Sequence, residues 1–232
     1  MQPKSAMIFA AGFGTRMRHL TQSTPKPLVS VMGKPMINHS LSMLSDAGIK
    51  SVFINTHYLA DQLEEHVKTY PFVTTIREKP DILETGGGLK NALPLIGTKP
   101  VFTLTCDAVW FGENPITELK KYWIPEQMDG LLMLIKKPNC IGYAGAGDFF
   151  LTPNNILLPK NKADAAPYVY SGVQIIKTDL LKTIPQNSFS IWRLWEKMLA
   201  QDRLCGTIYN GAWADVGHPE GIDLANRKAA NV

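Results

Sequence analysis

Cysteine is scarce in this chain, and so is any long apolar run. Cys106, Cys140 and Cys205 are odd in number and form no CxxC pair. That speaks against a disulfide framework or a zinc cluster and suits a reducing cytoplasm. No apolar stretch approaches the ~20 residues that span a bilayer, and nothing before the strand-like run at Ala6 reads as a signal peptide. The expectation is a soluble, cytoplasmic protein with no membrane association. Charge of one sign is also in short supply. A net charge of +4 with scattered lysines and arginines lacks the concentrated patch of a nucleic-acid binder. His19, His39, His57, His66 and His218 show neither HxH nor HExxH spacing, so they receive no metal or general-base role.

What is present is an ordinary globular composition, 45% apolar and 19% charged, in a chain long enough for one substantial core. Residues 1–232 read as a single domain, without repeats or a linker. The first half alternates: strands at 6–10, 51–55, 73–78 and 101–107, helices at 35–48 and 59–69, and a short helix after the glycines of 86–96. Ile37, Leu41 and Leu44 share one helical face, which stops at Gly48. Such alternation predicts an α/β fold, a parallel sheet with helices on both faces, whose ligands sit outside the carboxyl ends of the strands. The second half is richer in strands, at 130–138, 142–151 and 168–177. A helix at 190–201 turns Trp192, Trp195 and Leu199 to one side, and 213–229 reads as a turn followed by a helix.

Directly behind the first strand stands AAGFGTRMRHLTQSTPKPL (10–28). A dinucleotide fingerprint fails at Met17, where its third glycine belongs, and the P-loop pattern fails too. A plain turn explains Gly12 and Gly14 but neither Arg16 nor Lys26, which is held between Pro25 and Pro27. The remaining reading is a triphosphate cradle. Glycines admit close approach, backbone amides face the anion, Arg16 grips phosphate through its planar fork, and Lys26 supplies a point charge.

This stretch resembles the signature of the sugar-1-phosphate nucleotidylyltransferases, the nucleotide-sugar pyrophosphorylases; His19 departs from the proline common there. The resemblance extends to LETGGGLKNALP (83–94), TCDAVW (105–110) and WADVGHPE (213–220). It implies a Rossmann-like, mostly parallel sheet with a smaller β-rich subregion, residues 1–127 forming the nucleotide-binding half and 128–232 the sugar-binding half. The implied reaction joins a nucleoside triphosphate to a sugar 1-phosphate and releases pyrophosphate, with Mg2+ held by Asp107 and Asp215. Ala11, Gly12, Gly14, Thr15, Arg16, Lys26, Gly87 and Thr105 would contact nucleotide, with Gly86 and Gly88 letting backbone lie against the base. Glu84, Asp148, Ser171 and Gly172 would face the sugar. Arg16, Lys26, Asp107 and Asp215 form the implied catalytic set.

Within the family the likeness is strongest to the short bacterial N-acetylmuramate-1-phosphate uridylyltransferases of cell-wall (peptidoglycan) recycling. It rests on ETGGG, GAGDF (145–149), YSG (170–172) and the lack of a C-terminal hexapeptide β-helix. Thr105 and Cys106 depart from an Asn-Gly usual at those positions. The expected substrates are UTP and N-acetylmuramate 1-phosphate, and the expected assembly is a monomer or small homo-oligomer. Three alternatives stay open: a mannose-1-phosphate guanylyltransferase, a catalytically silent binding subunit, and a cytidylyltransferase whose acceptor is a quaternary ammonium caged by Tyr143, Phe149, Tyr168 and Tyr170. For the two acids taken singly, Asp107 as a helix N-cap and Asp215 as a turn residue are the structural alternatives.

Overall fold

In the computed structural model, which describes residues 2–231, the elements run β1 (Ala6–Phe9), β2 (Ser30–Val31), β3 (Lys34–Pro35), α1 (Met36–Asp46), β4 (Val52–Thr56), α2 (Ala60–Val67), β5 (Val73–Arg77), α3 (Glu84–Ile96), β6 (Val101–Thr105) and β7 (Ala108–Phe111). They continue as α4 (Pro115–Tyr122), β8 (Gly130–Lys136), β9 (Cys140–Ile141), β10 (Phe149–Leu151), β11 (Leu157–Pro159), β12 (Tyr168–Ile176), α5 (Trp192–Leu199), β13 (Leu204–Tyr209), β14 (Ala212–Asp215) and α6 (Pro219–Ala230). The strands β1, β4, β6 and β8 are almost wholly buried, as their mostly apolar sequences suit in a sheet covered on both faces.

β1 lies parallel between β4 and β6, and β5 runs parallel outside β4. The antiparallel β12 borders β6 and is followed by β8 and β13. The chain therefore moves outward from β1 through β4 and β5, then returns to its other side at β6. Strand order reverses between β1 and β6, and a crevice opens at their carboxyl ends. One face of the sheet is covered by Ile37, Leu41 and Leu44 of α1 together with α2 and α4. The other is covered by Leu89 and Ala92 of α3 and by Leu194, Trp195 and Met198 of α5. A smaller core, including Met17, Val109, Ala214 and Ile222, joins the first loop, a three-stranded sheet ordered β7-β14-β9, and α6.

β12 meets the end of β6 beside the crevice, where Gly172 approaches Thr105. Only Val173–Ile176 pair with β6, whereas Tyr168 pairs with Phe149 of β10. Its first residues thus project past the end of β6, and the edge of β12 forks between β6 and β10. Its register against β8 shifts between Tyr170 and Gln174. Gly172 takes φ +85 in that bulge, and a Cβ there would collide with Thr105 Oγ1, so only glycine suits the position.

Several sequence expectations are corrected. α3 begins at Glu84, so all three glycines lie inside the helix despite a penalty of about 1 kcal/mol each. Packing overrides propensity because each glycine is covered closely by protein. Residues 142–148 form a loop, not a strand, with Gly142 and Gly147 at φ +77 and +84; only Phe149–Leu151 are extended. Residues 212–215 form β14 where a turn was expected, because they pair with β7. In α5 the buried stripe is Leu194, Trp195 and Met198, while Trp192 is 37% exposed; its indole N–H donates to Glu196 at 3.0 Å near the surface. Among the described residues no helix is long and apolar enough to cross a membrane.

Candidate active site

The loop after β1 bends at Gly14, whose φ is +68 and where a Cβ would stand 2.9 Å from Lys26 Cβ and 3.0 Å from Thr21 Cγ2, which excludes a side chain. Thr21 Oγ1 donates to the Gly14 carbonyl at 3.0 Å, and Met17 N–H donates to it at 2.8 Å. Buried Met17 then anchors a short 3₁₀ turn that leaves Thr15 and Arg16 exposed. Gly12 is different. Nothing lies within 4 Å of where its Cβ would stand, and it lines the crevice with Ala11. Its bare backbone is open to a ligand and not to protein.

Two acids remote in sequence meet here through strand pairing. Asp107 follows β6 and Asp215 ends β14. The β7–β14 ladder pairs Ala108 with Asp215, and Val216 N–H extends it to the Asp107 carbonyl at 3.0 Å. β7 follows Asp107 at once, so that acid caps no helix. Asp215 does stabilise its turn, accepting from Gly217 N–H at 2.9 Å, yet its other oxygen faces Arg16. Lys26 Nζ lies 2.5 Å from Asp107 Oδ2, and Arg16 reaches Asp107 at 3.3 Å and Asp215 at 3.7 Å. Burial pushes the Asp107 carboxyl upward, but Lys26, Thr105 and Arg16 outweigh it and hold the group below its usual range. Gly217 sits at the centre: a Cβ there would lie 2.7 Å from Arg16 Nη2 and 2.9 Å from both Asp107 Oδ2 and Asp215 Oδ1.

At the α3 end, Glu84 and Thr85 line the crevice, and exposed Glu84 holds a left-handed φ of +60, a strained conformation of the kind that gathers at ligand sites. The glycine trio does not line it. A Cβ at Gly86 would lie 2.5 Å from the Phe189 ring, one at Gly87 would collide with the Asn187 carbonyl, and one at Gly88 would lie 2.7 Å from Glu78 Oε1. Their close approach is to the protein itself. Cys106 also lines the crevice, and burial pushes its thiol up to about 12, which leaves it inert as a nucleophile.

On the far side, Asp148 occupies the fork between β6 and β10. Tyr170 N–H donates to its Oδ2 at 2.9 Å. Burial lifts its carboxyl above the usual range, partly offset by that N–H, by Lys160 and by the Tyr143 hydroxyl. Gly172 meets Thr105 at the end of β6. Ser171 points the other way: it is fully buried, and its hydroxyl donates to the Met133 carbonyl at 2.8 Å. The four aromatics do not form a cage. Phe149 is 1% exposed and packs on Trp192 and Trp195, Tyr170 meets Trp195 edge-on, and Tyr143 packs on Trp213 in a separate core.

Sequence reasoning missed Gly217, Asn55, Glu78 and His218. The first lies inside a matched motif, and its need for a missing side chain is visible only once both acids converge. Asn55 stands one residue before the end of β4 and Glu78 directly after β5, polar residues at the carboxyl ends of two strands, a signal present in the sequence. His218 caps α6, its Nδ1 accepting from Gly221 N–H at 3.1 Å while Nε2–H donates to the Gly142 carbonyl at 2.9 Å.

An α/β sheet with a strand-order reversal, a glycine loop, two cations and two converging acids defines a class of phosphate-handling transferases. The chain belongs to the nucleotidyl transferase family, whose model matches residues 5–231. It is 38% identical over 98% of its length to N-acetylmuramate alpha-1-phosphate uridylyltransferase of Caulobacter vibrioides, covering 98% of that protein. The enzyme of the same name from Neisseria meningitidis serogroup B is 32% identical over 91% of this chain and 92% of its own. Among solved structures, HddC of Yersinia pseudotuberculosis complexed with GMP-PN superposes with a TM-score of 0.77 at 20% identity, over 97% of this chain and 99% of that one; that likeness concerns the fold.

Proposed function

We propose that the protein transfers the uridylyl group of UTP to N-acetylmuramate 1-phosphate and releases pyrophosphate. The observation that carries the reading is the convergence of Arg16, Lys26, Asp107 and Asp215 around Gly217 beside the open loop at Gly12. The names of the two relatives support the choice of base and acceptor.

An acceptor phosphate oxygen attacks the α-phosphorus in line. One P–O bond forms there and the bond to the β-phosphate bridging oxygen breaks, with pyrophosphate carrying off the electron pair. The acceptor phosphate is already ionised near pH 7, so no strong base is needed. Lys26 would neutralise charge on the α-phosphate, and Arg16 would grip the departing phosphates. Backbone at Ala11 and Gly12 would lie against the triphosphate, with Thr105 facing the ribose and Glu84 the base. Asp148 would accept from acceptor hydroxyls, and Gly172 would leave room for the sugar. Catalysis is then mainly positioning and charge neutralisation.

The residues fit a magnesium ion. Among the described residues no group of three or more His, Cys, Asp or Glu side chains could hold a metal. Magnesium commonly takes only one or two carboxylates and fills its shell with phosphate oxygens and water. Asp107 and Asp215, their side chains each 17% exposed and both within reach of Arg16, would be that pair. Bound there, the ion would supply charge neutralisation for two polyanions that must meet.

The test is a pyrophosphate-release screen crossing the four nucleoside triphosphates with a panel of sugar 1-phosphates. The expected maximum of kcat/KM is UTP with N-acetylmuramate 1-phosphate. A higher value for GTP with mannose 1-phosphate would overturn the substrate assignment.

A further inference from the structure

Beneath the crevice lies a buried pair to which none of these roles applies. Asn55 lies near the end of β4 and Glu78 follows β5; they are 3% and 1% exposed. Ala10 N–H donates to Asn55 Oδ1 at 2.8 Å, Asn55 Nδ2 donates to Glu78 Oε1 at 2.8 Å, and Leu83 N–H donates to Glu78 Oε2 at 2.8 Å. Three bonds in series thus run from the first residue after β1, under the crevice, to the residue before α3. Ala10 leads into the glycine loop. Leu83 leads into the left-handed Glu84, which lines the opposite wall, and Asn55 itself lines the floor. The pair also accounts for Gly88, where a Cβ would stand 2.7 Å from Glu78 Oε1 and 2.8 Å from Asn55 Nδ2.

A buried carboxyl is an expensive way to fill space, and aliphatic side chains of similar volume commonly do it at no loss of stability. What a polar chain adds is fixed direction. The Ala10 and Leu83 amides can only donate, so the asparagine oxygen must face Ala10, its NH2 must face Glu78, and both glutamate oxygens must accept. We propose that Asn55 and Glu78 are positioning residues for the nucleoside triphosphate, setting the spacing between the phosphate loop and the base-side wall. The proposal rests on the crevice being the nucleotide site.

Polarity supplies the test. Glu78→Gln sets two NH2 groups against each other or leaves Leu83 N–H without an acceptor, and Asn55→Asp sets two carboxyls face to face. Asn55→Asp combined with Glu78→Gln restores all three bonds with only the middle one reversed. Each single variant is expected to raise KM for UTP about tenfold or more, with kcat and the acceptor KM within about threefold, and the double variant to return within about threefold of the original KM. Calorimetric titration with UTP and Mg2+, without acceptor, should follow the same order. Folded single variants with unchanged KM for UTP would overturn the proposal. So would a double variant as weak as the two singles multiplied, or a parallel rise in both KM values, which a merely structural role would give. Should a single variant not fold, the double alone decides: it must fold and bind UTP as the original protein does. If the unaltered protein binds no nucleoside triphosphate, the crevice assignment falls, and this role falls with it.

Discussion

Replacing Gly217 by alanine separates the geometry of the charge cluster from the stability of the fold. The new methyl carbon would stand 2.7 Å from Arg16 Nη2 and 2.9 Å from Asp107 Oδ2 and Asp215 Oδ1. Ordinary carbon contacts begin near ~3.5 Å, so all three groups must retreat by roughly 0.6 Å or more. Each is the far end of a side chain and can move without shifting backbone, so the stability change should stay below about 1 kcal/mol. Catalysis should not be so tolerant, because misplacement by about 1 Å can cost ~100-fold. The expected result is a fall in kcat of about 100-fold with little change in Tm, read by pyrophosphate release and thermal denaturation. Gly221→Ala is the contrast. Its methyl would strike the backbone carbonyl of Asp215, which cannot retreat cheaply, so about 1–3 kcal/mol of stability should go as well. A folded Gly217→Ala enzyme with normal kcat would refute the reasoning, since the three groups would not need the places they hold.

Asp107→Asn should keep the fold yet remove most turnover, and the deficit should be greatest at limiting magnesium; a normal rate there would contradict the metal assignment. Lys26→Ala should lower kcat roughly 100- to 1,000-fold, as loss of one oxyanion donor does. Arg16→Ala should also raise KM for the triphosphate, with lysine at 16 a poor rescue because a point charge does not reproduce the fork; steady-state kinetics of the three variants decides. Away from the site, Asp129 pairs with Lys177 at 2.7 Å and Arg203 at 2.9 Å. Burial raises its carboxyl, but the two cations pull it below the ordinary range. Its stabilisation should be fully present above the ordinary carboxylate value and lost as pH falls through the depressed one. Asp129→Asn should therefore cost about 2 kcal/mol at pH 7 and flatten the acid limb of a denaturation series; an unchanged acid limb would argue against it.

Much of the architecture could be read from the residues alone. The strands at 6–10, 51–55 and 101–107 are apolar runs with a single structural solution, and Gly48 stops α1 as C′ glycines do (φ +75). That Arg16 and Lys26 belong to one charged cluster was legible because a plain turn explains neither. What escaped was set by contacts between distant segments. The three glycines of α3 look like a ligand wall in sequence, but Gly86 and Gly87 pack on Phe189 and Asn187, about a hundred residues away, and Gly88 on Glu78 and Asn55, and only the folded chain brings these segments together. The strand at 212–215 exists because β7 pairs with it, and its own sequence resembles a turn. Ser171 sits one residue from the bulge at Gly172, and that bulge decides which side its hydroxyl faces. Local chemistry gave the site's charges, whereas the fork of β12 and the pairing of β7 with β14 gave its shape.

The most direct test of the whole account is pyrophosphate release by the purified protein from UTP and Mg2+, with and without N-acetylmuramate 1-phosphate, the nucleotide product being identified by mass. The account predicts release only when both substrates are present, a UDP-sugar formed in equal amount, and loss of both with Lys26→Ala. Release without acceptor, or none with any pairing of nucleoside triphosphate and sugar 1-phosphate, would contradict it.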